Sequence, residues 1–546
     1  MTSILSCAPL DAPPLEADPG PLASVEPQPA GTEASGKLPP DAGASSADAG
    51  LPSLDAGAAN DDAGLPSVDA GASDDAGRPS LDAGLPRADA GATHDAGLPI
   101  PSVDAGAPRD GGSTASVDAG TSAPLPSAGL VYPGDRTQSP IDAALAQRLR
   151  GIAARGTGRG TVFSKVGDSI STNGSGVGGG YFANCFDGIV GGTVSWDFNV
   201  NLGAFSALAP TVDFFKSTRL GADDSWTRPS LATRVGAAAG WAVTGAPSPL
   251  EQELAAATPR YAVVMYGSND IAYYGGGAYP LADQAETYEA NLRAITDELL
   301  ARGVIPLLTT MPPRTDGDRL RYVPVFSAVV RAIAQGRQVP LIDLNRELMA
   351  LGPPFGLSSD QVHPTCAAYN KCCWFDPASL THGYNVRNLI TLQALDRLHQ
   401  VFEGGATTLD PAAPRLAGDG SRAAPFAISS LPFGELRDLT QSPSTPDAPL
   451  SCAGAPAVAG PQHLYRLVLT RTTSLRALVL DRGADAHRVS LLSGTSLSSC
   501  LRSDPRLVAA TLSAGTYYLA VNARNAGGGA EYNLSVSECA PGDPDC

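Results

Sequence analysis

The feature that most constrains this chain is a long tract that cannot build a hydrophobic core. From Ala12 to Gly129 the sequence has no aromatic residue and repeats Asp-Ala-Gly eleven times, mostly at a spacing of seven residues. A seven-residue period is also typical of coiled coils, but a glycine in every repeat and prolines after several leucines exclude a stable helix. Because too little apolar surface is available to offset the entropy of ordering, we expect residues 1–138 to be a disordered spacer.

Calcium binding is an alternative interpretation of the aspartate repeats. Ca²⁺ takes about six to eight oxygen ligands in a preorganised cage. Isolated carboxylates on a flexible chain do not supply such a cage, so the sequence favours a spacer.

The charge of the chain is concentrated in the same tract. The formal net charge is −18, and residues 1–130 hold 19 Asp and Glu but only four Lys and Arg. The rest of the chain is close to neutral and has no broad basic surface, which disfavours nucleic-acid binding. No segment approaches the roughly 20 apolar residues that cross a bilayer, which excludes a polytopic membrane protein.

The cysteines indicate an oxidising compartment. Cys7 follows Ile4-Leu5-Ser6 and resembles the lipidated cysteine of a bacterial lipoprotein, although the signal is incomplete and an ordinary tail cysteine is the alternative. We therefore predict an extracytoplasmic protein, anchored at the cell surface or outer membrane or else secreted. The remaining cysteines permit four disulfides, whereas zinc is disfavoured because no Cys-x-x-Cys pair occurs. They form two sets: Cys185, Cys366, Cys372 and Cys373, then Cys452, Cys500, Cys539 and Cys546.

Apolar runs alternate with helical periods between Ile141 and Glu403, which is typical of an α/β domain with a parallel sheet. After Gly405 the pattern changes to short segments of period two, which predicts a β-sandwich. The predicted strands of the α/β domain are 162–166, 261–265, 304–311 and 339–342, and the clearest predicted helices are 281–302 and 325–335. The predicted organisation is a spacer over 1–138, an α/β domain over 139–405, a linker over 406–424 and a β-sandwich over 425–546.

Three polar motifs occur at positions where an α/β sheet binds ligands. Ser169 follows the first predicted strand within Gly-Asp-Ser, and Asn269 follows the second within Gly-Ser-Asn-Asp. Further along the chain, Asp360 and His363 are three residues apart on one side of a short turn. The carboxyl ends of parallel strands meet at one sheet edge, so these side chains can converge. Taken singly, the serine could cap a helix and the asparagine could stabilise a turn.

In this order the motifs resemble those of the SGNH hydrolases, the GDSL-type esterases and lipases. The resemblance covers roughly residues 155–400 and implies a flavodoxin-like three-layer α/β/α domain. It also implies a catalytic triad in which Ser169 is the nucleophile, His363 the base and Asp360 the carboxylate that orients the base. No metal or organic cofactor is implied.

The resemblance further implies an oxyanion hole built from the Ser169 amide, the Asn269 side chain and a glycine amide. Gly236 and Gly240 are both candidates for the glycine, and a purely structural role is the alternative for either. We favour Gly240, because the apolar residues 237–239 can finish a strand and leave Gly240 at its exit.

Two rival motifs are weaker. Residues Gly174–Gly179 match Gly-x-Gly-x-x-Gly, the dinucleotide-binding pattern, but no convincing helix follows them. No Gly-x-Ser-x-Gly elbow occurs, which argues against an α/β-hydrolase lipase.

The C-terminal segment, in particular Leu512–Val521 with Gly529 and Tyr532–Val536, resembles bacterial pre-peptidase C-terminal domains, which are β-sandwiches often appended to secreted hydrolases. All four tryptophans lie outside it, so it has no tryptophan platform for sugars. We interpret the sandwich as a structural or weakly targeting module.

Together these patterns predict an exported, monomeric serine ester hydrolase. The long spacer suits an extended substrate such as an acylated polysaccharide, and Trp226, Trp241 or Trp374 could stack on sugar rings. The cysteine-rich insert after His363, which carries Trp374, could wall the substrate cleft or be a simple surface loop. Lipid esters remain the alternative substrate class, in the manner of a lipase or lysophospholipase. The alternative function that is not enzymatic is that of a surface binding protein with an inactive hydrolase fold.

Overall fold

The computed structural model describes most of the chain after residue 128. The described residues are 129–172, 182, 185, 189–190, 193–194, 200–274, 280–368, 371–441, 452, 460–484, 486–524 and 530–546. Residues 1–128 of the predicted spacer, Cys7 and the Gly174–Gly179 motif lie outside them. The last part of the predicted spacer, residues 129–138, is described and belongs to the folded region: Tyr132 is buried and its hydroxyl donates to the Val339 carbonyl at 3.0 Å.

A parallel sheet forms the centre of the first region. Its four strands lie in the order β1-β5-β6-β7, and every neighbouring pair is parallel. This confirms the predicted fold class and the four predicted strands, with shifts of a few residues at their ends. The strands of this region are β1 (Arg159–Gly167), β2 (Ile189–Val190), β3 (Thr193–Val194), β4 (Val200–Asn201), β5 (Pro259–Met265), β6 (Ile305–Thr309), β7 (Leu341–Ile342) and β8 (Cys373–Trp374).

Helices cover the sheet in two groups, which gives three layers. In the first group, α5 packs against α6 and against the 3-10 helix Ala239–Val243, and this 3-10 helix also contacts α3. In the second group, α8 packs against α2 and α7. The helices are α1 (Ala143–Ala153), α2 (Ala209–Lys216), α3 (Pro249–Ala257), α4 (Ser268–Tyr274), α5 (Leu281–Ala301), α6 (Val323–Arg337), α7 (Leu344–Ala350) and α8 (Gly383–Phe402). None of the helices within the described ranges is both long and apolar enough to span a bilayer.

The C-terminal region is a sandwich of two sheets, as predicted. One sheet has the order β10-β17-β12-β15 and the other β14-β13-β16-β11-β9. The two sheets enclose their own hydrophobic core, in which Tyr465, Leu519 and Tyr532 are fully buried. The strands are β9 (Phe426–Ile428), β10 (Phe433–Asp438), β11 (Gln462–Leu469), β12 (Thr473–Leu480), β13 (His487–Leu492), β14 (Cys500–Asp504), β15 (Leu507–Leu512), β16 (Gly515–Ala523) and β17 (Glu531–Glu538).

The sandwich packs directly on two helices of the α/β region. Strands β10 and β17 contact α6, and β12 contacts α5. At the centre of this interface Glu531 Oε2 accepts from Arg293 Nη1 and from Arg337 Nη2, each at 2.8 Å. Although burial acts to raise the pKa of Glu531, the two guanidinium groups lower it to about 2. The carboxylate is therefore held in its charged form between the two regions.

Eight cysteines form disulfides. Residues 366–373 are held by two of them, which tie the segment to itself and to Cys185. The pairs are Cys185–Cys373, Cys366–Cys372, Cys452–Cys500 and Cys539–Cys546.

Candidate active site

Ser169 lies at the carboxyl end of β1, as the sequence predicted. The strand ends at Gly167, where a side chain would collide with Ser171 Oγ and with the Met265 carbonyl of the neighbouring strand. Glycine at this position lets the chain turn sharply after the strand. Ser169 is 8% exposed, so it lies at the edge of the core with access from outside.

The histidine and the carboxylate come from a tight turn before α8. Asp360 Oδ1 accepts from the backbone N–H groups of Val362 and His363, both at 2.9 Å, and from the Ser358 hydroxyl at 2.5 Å. Gln361 has a φ of +63°, and its carbonyl accepts from the Thr315 N–H at 3.1 Å. The turn therefore fixes Asp360 against the histidine that follows it.

The three predicted triad residues are joined by hydrogen bonds. Ser169 Oγ lies 2.8 Å from His363 Nε2, and His363 Nδ1 lies 2.6 Å from Asp360 Oδ2. Partial burial acts to raise the pKa of Asp360, but the donors of Ser358, His363 and Val362 outweigh it and hold this pKa well below its usual range. Asp360 is thus a carboxylate that can stabilise a positive charge on His363.

Asn269 begins a second turn, at the carboxyl end of β5. Gly267 has a φ of +123°, which places Ser268 and Asn269 at the start of α4. Asn269 Nδ2 donates to the Ala237 carbonyl at 3.1 Å. An amide nitrogen carries two protons, so one donor of Asn269 remains for a further acceptor.

The neighbouring Asp270 connects the same two segments and was not assigned from the sequence. It is buried and accepts from Ala239 N–H at 3.0 Å and from Gly267 N–H at 3.1 Å. Burial raises the pKa of Asp270 to about 7; the charge of Asp168 acts in the same direction and the two N–H groups oppose it. The Asn-Asp pair thus holds residues 237–239 beside the turn that follows β5.

The two candidate glycines have different surroundings. The strand predicted over residues 237–239 is wrong, because Ala239–Val243 form a 3-10 helix. The segment that extends the sheet lies earlier: Thr233 bridges Gly167 in parallel, and Arg234 N–H donates to the Gly167 carbonyl at 3.1 Å. Gly236 follows this segment with a φ of +73°, whereas an added Cβ on Gly240 would lie 2.9 Å from Asn291 Nδ2 of α5.

The three tryptophans considered for sugar binding differ in exposure. Trp226 is fully buried and its Nε1 donates to the Val212 carbonyl, so the stacking role suggested for it is wrong. Trp241 and Trp374 are half-buried. The Arg234 guanidinium carbon lies 5.7 Å from the Trp241 ring centroid, and Lys371 Nζ lies 3.9 Å from that of Trp374.

Further charged groups lie around the triad. Their only signal in the sequence is that some of them are close to the motifs. Asp168, directly before the nucleophile, is fully buried. Burial raises the pKa of Asp168 to about 6, against the hydrogen bond from Ile170 N–H and the positive charge of Arg387. Arg314 donates to the Ser268 carbonyl and pairs with Asp316 at 2.7 Å. In the part of the chain that the structure covers, no cluster of His, Cys, Asp and Glu is arranged to hold a metal ion.

Comparisons with known proteins agree with this geometry. Residues 166–371 match the model of the GDSL-like lipase/acylhydrolase family. The match begins at the end of β1 and includes Ser169, Asn269, Asp360 and His363. No curated protein matches the chain.

Several solved structures are similar to parts of the chain. An acetylxylan esterase from Geobacillus stearothermophilus is 18% identical over 44% of this chain and 95% of its own, with a TM-score of 0.28. A GDSL-like lipase from Bacteroides thetaiotaomicron is 15% identical over 47% of this chain and 100% of its own, with a TM-score of 0.26. The pre-peptidase C-terminal domain of a collagenase from Bacillus anthracis is 16% identical over 20% of this chain and 92% of its own, with a TM-score of 0.15.

Proposed function

We propose that the GDSL-like lipase/acylhydrolase domain of this chain, matched over residues 166–371, hydrolyses carboxylic esters through an acyl-serine intermediate. The observation that carries the proposal is the hydrogen-bonded series Ser169, His363 and Asp360. A serine hydroxyl is a poor nucleophile at neutral pH unless an adjacent base removes its proton during attack. His363 Nε2 is at the distance that such a transfer requires.

The reaction follows from these positions. Ser169 Oγ attacks the ester carbonyl carbon while its proton passes to His363 Nε2, and Asp360 stabilises the imidazolium. His363 then returns the proton to the departing alcohol, which leaves an acyl-serine. In the second half, water attacks the acyl carbon while one of its protons passes to His363 Nε2. His363 then returns this proton to Ser169 Oγ as the bond between the acyl carbon and Ser169 breaks, which releases the carboxylic acid and regenerates the serine.

The oxyanion of each tetrahedral intermediate needs fixed donors. We assign this role to the Ser169 N–H, the second proton of Asn269 Nδ2 and the N–H of one of the two glycines, Gly240 or Gly236. Gly236 lies just beyond the segment that bridges Gly167, whereas Gly240 belongs to the 3-10 helix packed on α5.

For the substrate we propose acetyl esters of carbohydrate. Two half-buried indole rings support this, since sugars stack on exposed aromatic faces. Trp241 follows the Gly236 turn in the chain, and Trp374 lies in the disulfide-held insert after His363. Because Lys371 covers one face of the Trp374 ring, a sugar would use the opposite face.

A lipid ester is the second candidate substrate, and a separate observation favours it. Leu231 and Val235, on either side of the segment that bridges Gly167, are 51% and 59% exposed. Large apolar side chains at such exposure next to the Gly236 turn can contact an acyl chain or an apolar alcohol.

We also propose that the protein acts outside the cytoplasm, either anchored to a membrane through a lipid on Cys7 or secreted. The four disulfides support an oxidising compartment. A polar spacer of about 130 residues would separate the enzyme from an anchor by roughly 60 Å. Labelling with radioactive palmitate, compared between the wild type and Cys7→Ala, tests the anchor.

The reaction is tested by the hydrolysis of p-nitrophenyl esters from acetate to palmitate by the full chain. The Ser169→Ala variant should lose activity by at least about 1,000-fold while it keeps its fold, because the nucleophile is removed and nothing is unpacked. A Ser327→Ala variant is a matched control, because Ser327 on α6 is also 8% exposed and lies outside the proposed site. If the folded wild type hydrolyses every ester no faster than Ser169→Ala does, the proposed esterase activity is wrong and a surface binding protein is favoured.

The same series separates the two substrate classes. Preference for p-nitrophenyl acetate, together with faster release of acetate from acetylated xylan than from triacetin, supports the carbohydrate ester. Rates that rise towards palmitate, with no preference for sugar acetates, would instead support the lipid ester.

A further inference from the structure

Helix α8 carries a buried arginine that reaches the turn of the nucleophile. Arg387 lies in the second turn of α8 and is 1% exposed. Its Nη1 donates to the Ile170 carbonyl, and its Nη2 donates to Ser171 Oγ at 2.9 Å. Ile170 and Ser171 are the two residues directly after Ser169, so one planar guanidinium binds the turn at two points.

A buried carboxyl group, Asp168, lies directly before the nucleophile in the chain. Burial raises the pKa of Asp168 to about 6, and the positive charge of Arg387 acts against that rise. Burying a guanidinium is unfavourable unless it is paired and hydrogen-bonded. A leucine or methionine would fill the same volume without that cost, so packing alone does not account for an arginine at this position.

The same two turns of α8 also hold the segment that follows the histidine. Tyr384 N–H donates to the Thr365 carbonyl at 2.8 Å, two residues after His363. Asn385 is fully buried; its Oδ1 accepts from Ala367 N–H at 3.0 Å, and its Nδ2 donates to the Trp374 carbonyl at 2.9 Å. One rigid helix end therefore contacts both the nucleophile turn and the histidine segment.

We infer that Arg387 is a positioning residue for catalysis, which holds the Ser169–Ser171 turn so that Ser169 Oγ stays within reach of His363 Nε2. Ser169 and His363 are separated by 194 residues in the chain and meet at 2.8 Å. A shift of about 1 Å in such a pair can cost about a hundredfold in rate. The inference rests on the proposed esterase activity, because it assigns Arg387 a role in that reaction.

The test compares Arg387→Met and Arg387→Lys in the full chain, with kcat and KM measured on p-nitrophenyl acetate. We expect kcat to fall about 100-fold in Arg387→Met with KM within about twofold of wild type, because the reacting atoms move and the substrate site does not. Lysine keeps the charge but not the planar fork, so it should recover only part of kcat. The rate of Ser169 labelling by a fluorophosphonate should fall in parallel with kcat.

Arg476→Met is the control for loss of a buried arginine. Arg476 is fully buried in the sandwich, where Nη1 donates to Asp543 Oδ2 and Nη2 to the Arg321 carbonyl, each at 2.7 Å. This variant should lose thermal stability but keep the kcat of its folded fraction.

The possible failures are distinct. An active wild type with unchanged kcat in Arg387→Met, or with a raised KM and unchanged kcat, would overturn the inference and leave the esterase intact. If Arg387→Met does not fold, full wild-type kcat in Arg387→Lys overturns it equally. A wild type without Ser169-dependent turnover would overturn the proposed function itself.

Discussion

The α/β region and the β-sandwich each contain a histidine bonded to a hydroxyl, but only one of these pairs is open to a substrate. In the α/β region His363 Nε2 lies 2.8 Å from Ser169 Oγ, and the histidine side chain is 39% exposed. In the sandwich His463 Nδ1 lies 2.8 Å from Tyr532 Oη, and both residues are buried. The two hydrogen bonds therefore have the same length, although the two histidine side chains differ widely in solvent exposure.

The partners of the two histidines also differ. His363 is backed by Asp360, a carboxylate whose pKa is held low and which stabilises a protonated ring. For His463, burial and the charge of Arg437 lower the pKa to about 3, so the ring stays neutral. A buried polar network thus serves stability in one region, while in the other a carboxylate and solvent access prepare a base.

The sharpest test of this comparison exchanges each histidine for alanine. His363→Ala should lower kcat by at least about 1,000-fold with little change in thermal stability, because the base is lost from a partly exposed position. His463→Ala should do the opposite, since it leaves a cavity in a core and removes one of the two hydrogen-bond partners of the Tyr532 hydroxyl, the other being Tyr465 Oη. Ester hydrolysis and thermal unfolding are measured on both. A strong loss of kcat in folded His463→Ala would break the comparison.

The next effect in size compares Asn269, half-buried beside the triad, with Asn522, buried in the sandwich. Asn269→Ala should reduce kcat by about 100-fold to 1,000-fold with KM nearly unchanged, because an oxyanion donor acts in the transition state. Asn522 donates to Gln462 Oε1 at 3.0 Å inside the sandwich, so Asn522→Ala should affect only the free energy of unfolding. Steady-state kinetics on p-nitrophenyl acetate give kcat and KM for both variants. A raised KM in Asn269→Ala would instead indicate that Asn269 binds the substrate in the ground state.

Much of this site could be predicted because its signals are local. Ser169 and Asn269 each follow an apolar run that becomes β1 or β5, and Asp360 and His363 share one turn. Residues that end neighbouring parallel strands meet at one sheet edge, whatever separates them in the chain. The meeting of these side chains could therefore be expected from local signals, whereas their roles as a triad came from the resemblance to the SGNH hydrolases.

Other features of the fold and the site depend on tertiary contacts, which leave no local pattern in the sequence. On α5 the spacing of apolar residues such as Leu292 and Ile295 indicates a single buried face. Glu289 and Arg293 are nevertheless buried too, because the sandwich covers their side of the helix. Arg387 likewise looks like a solvent-facing charge in an amphipathic helix. The strand expected before Gly240 failed because short alanine runs fit a 3-10 helix equally well.

The contact between the two regions gives the third prediction. Glu531→Ala should lower the free energy of unfolding by about 3 kcal/mol, because it leaves Arg293 and Arg337 in the interface without their shared carboxylate. Urea unfolding followed separately by tryptophan fluorescence and by activity measures this. All four tryptophans lie outside the sandwich, so a shifted fluorescence transition shows that the sandwich stabilises the α/β region. An unshifted one would mean that the two regions unfold independently.

The smallest expected effect is a pH dependence of opposite sign in the two regions. His463 has a pKa of about 3 when folded and an ordinary value of 6.5, so between these values the unfolded chain binds more protons and stability falls as the pH is lowered. Asp270 has a pKa of about 7 when folded and an ordinary value of 3.8, so in that window the folded chain binds more protons and stability falls as the pH is raised.

Two substitutions isolate these contributions in the melting temperature between pH 5 and pH 8. His463→Gln should lose less stability than the wild type on going from pH 8 to pH 5, because its neutral side chain has no proton to gain. Asp270→Asn should lose less than the wild type in the other direction, from pH 5 to pH 8, because no buried carboxyl group then ionises. Each variant is compared with its own value at the reference pH, which removes the constant cost of the changed hydrogen bonds. If both variants changed the pH dependence in the same direction, at least one of the two buried groups would not be held in its neutral form, and the opposite pH dependence of the two regions would be disproved.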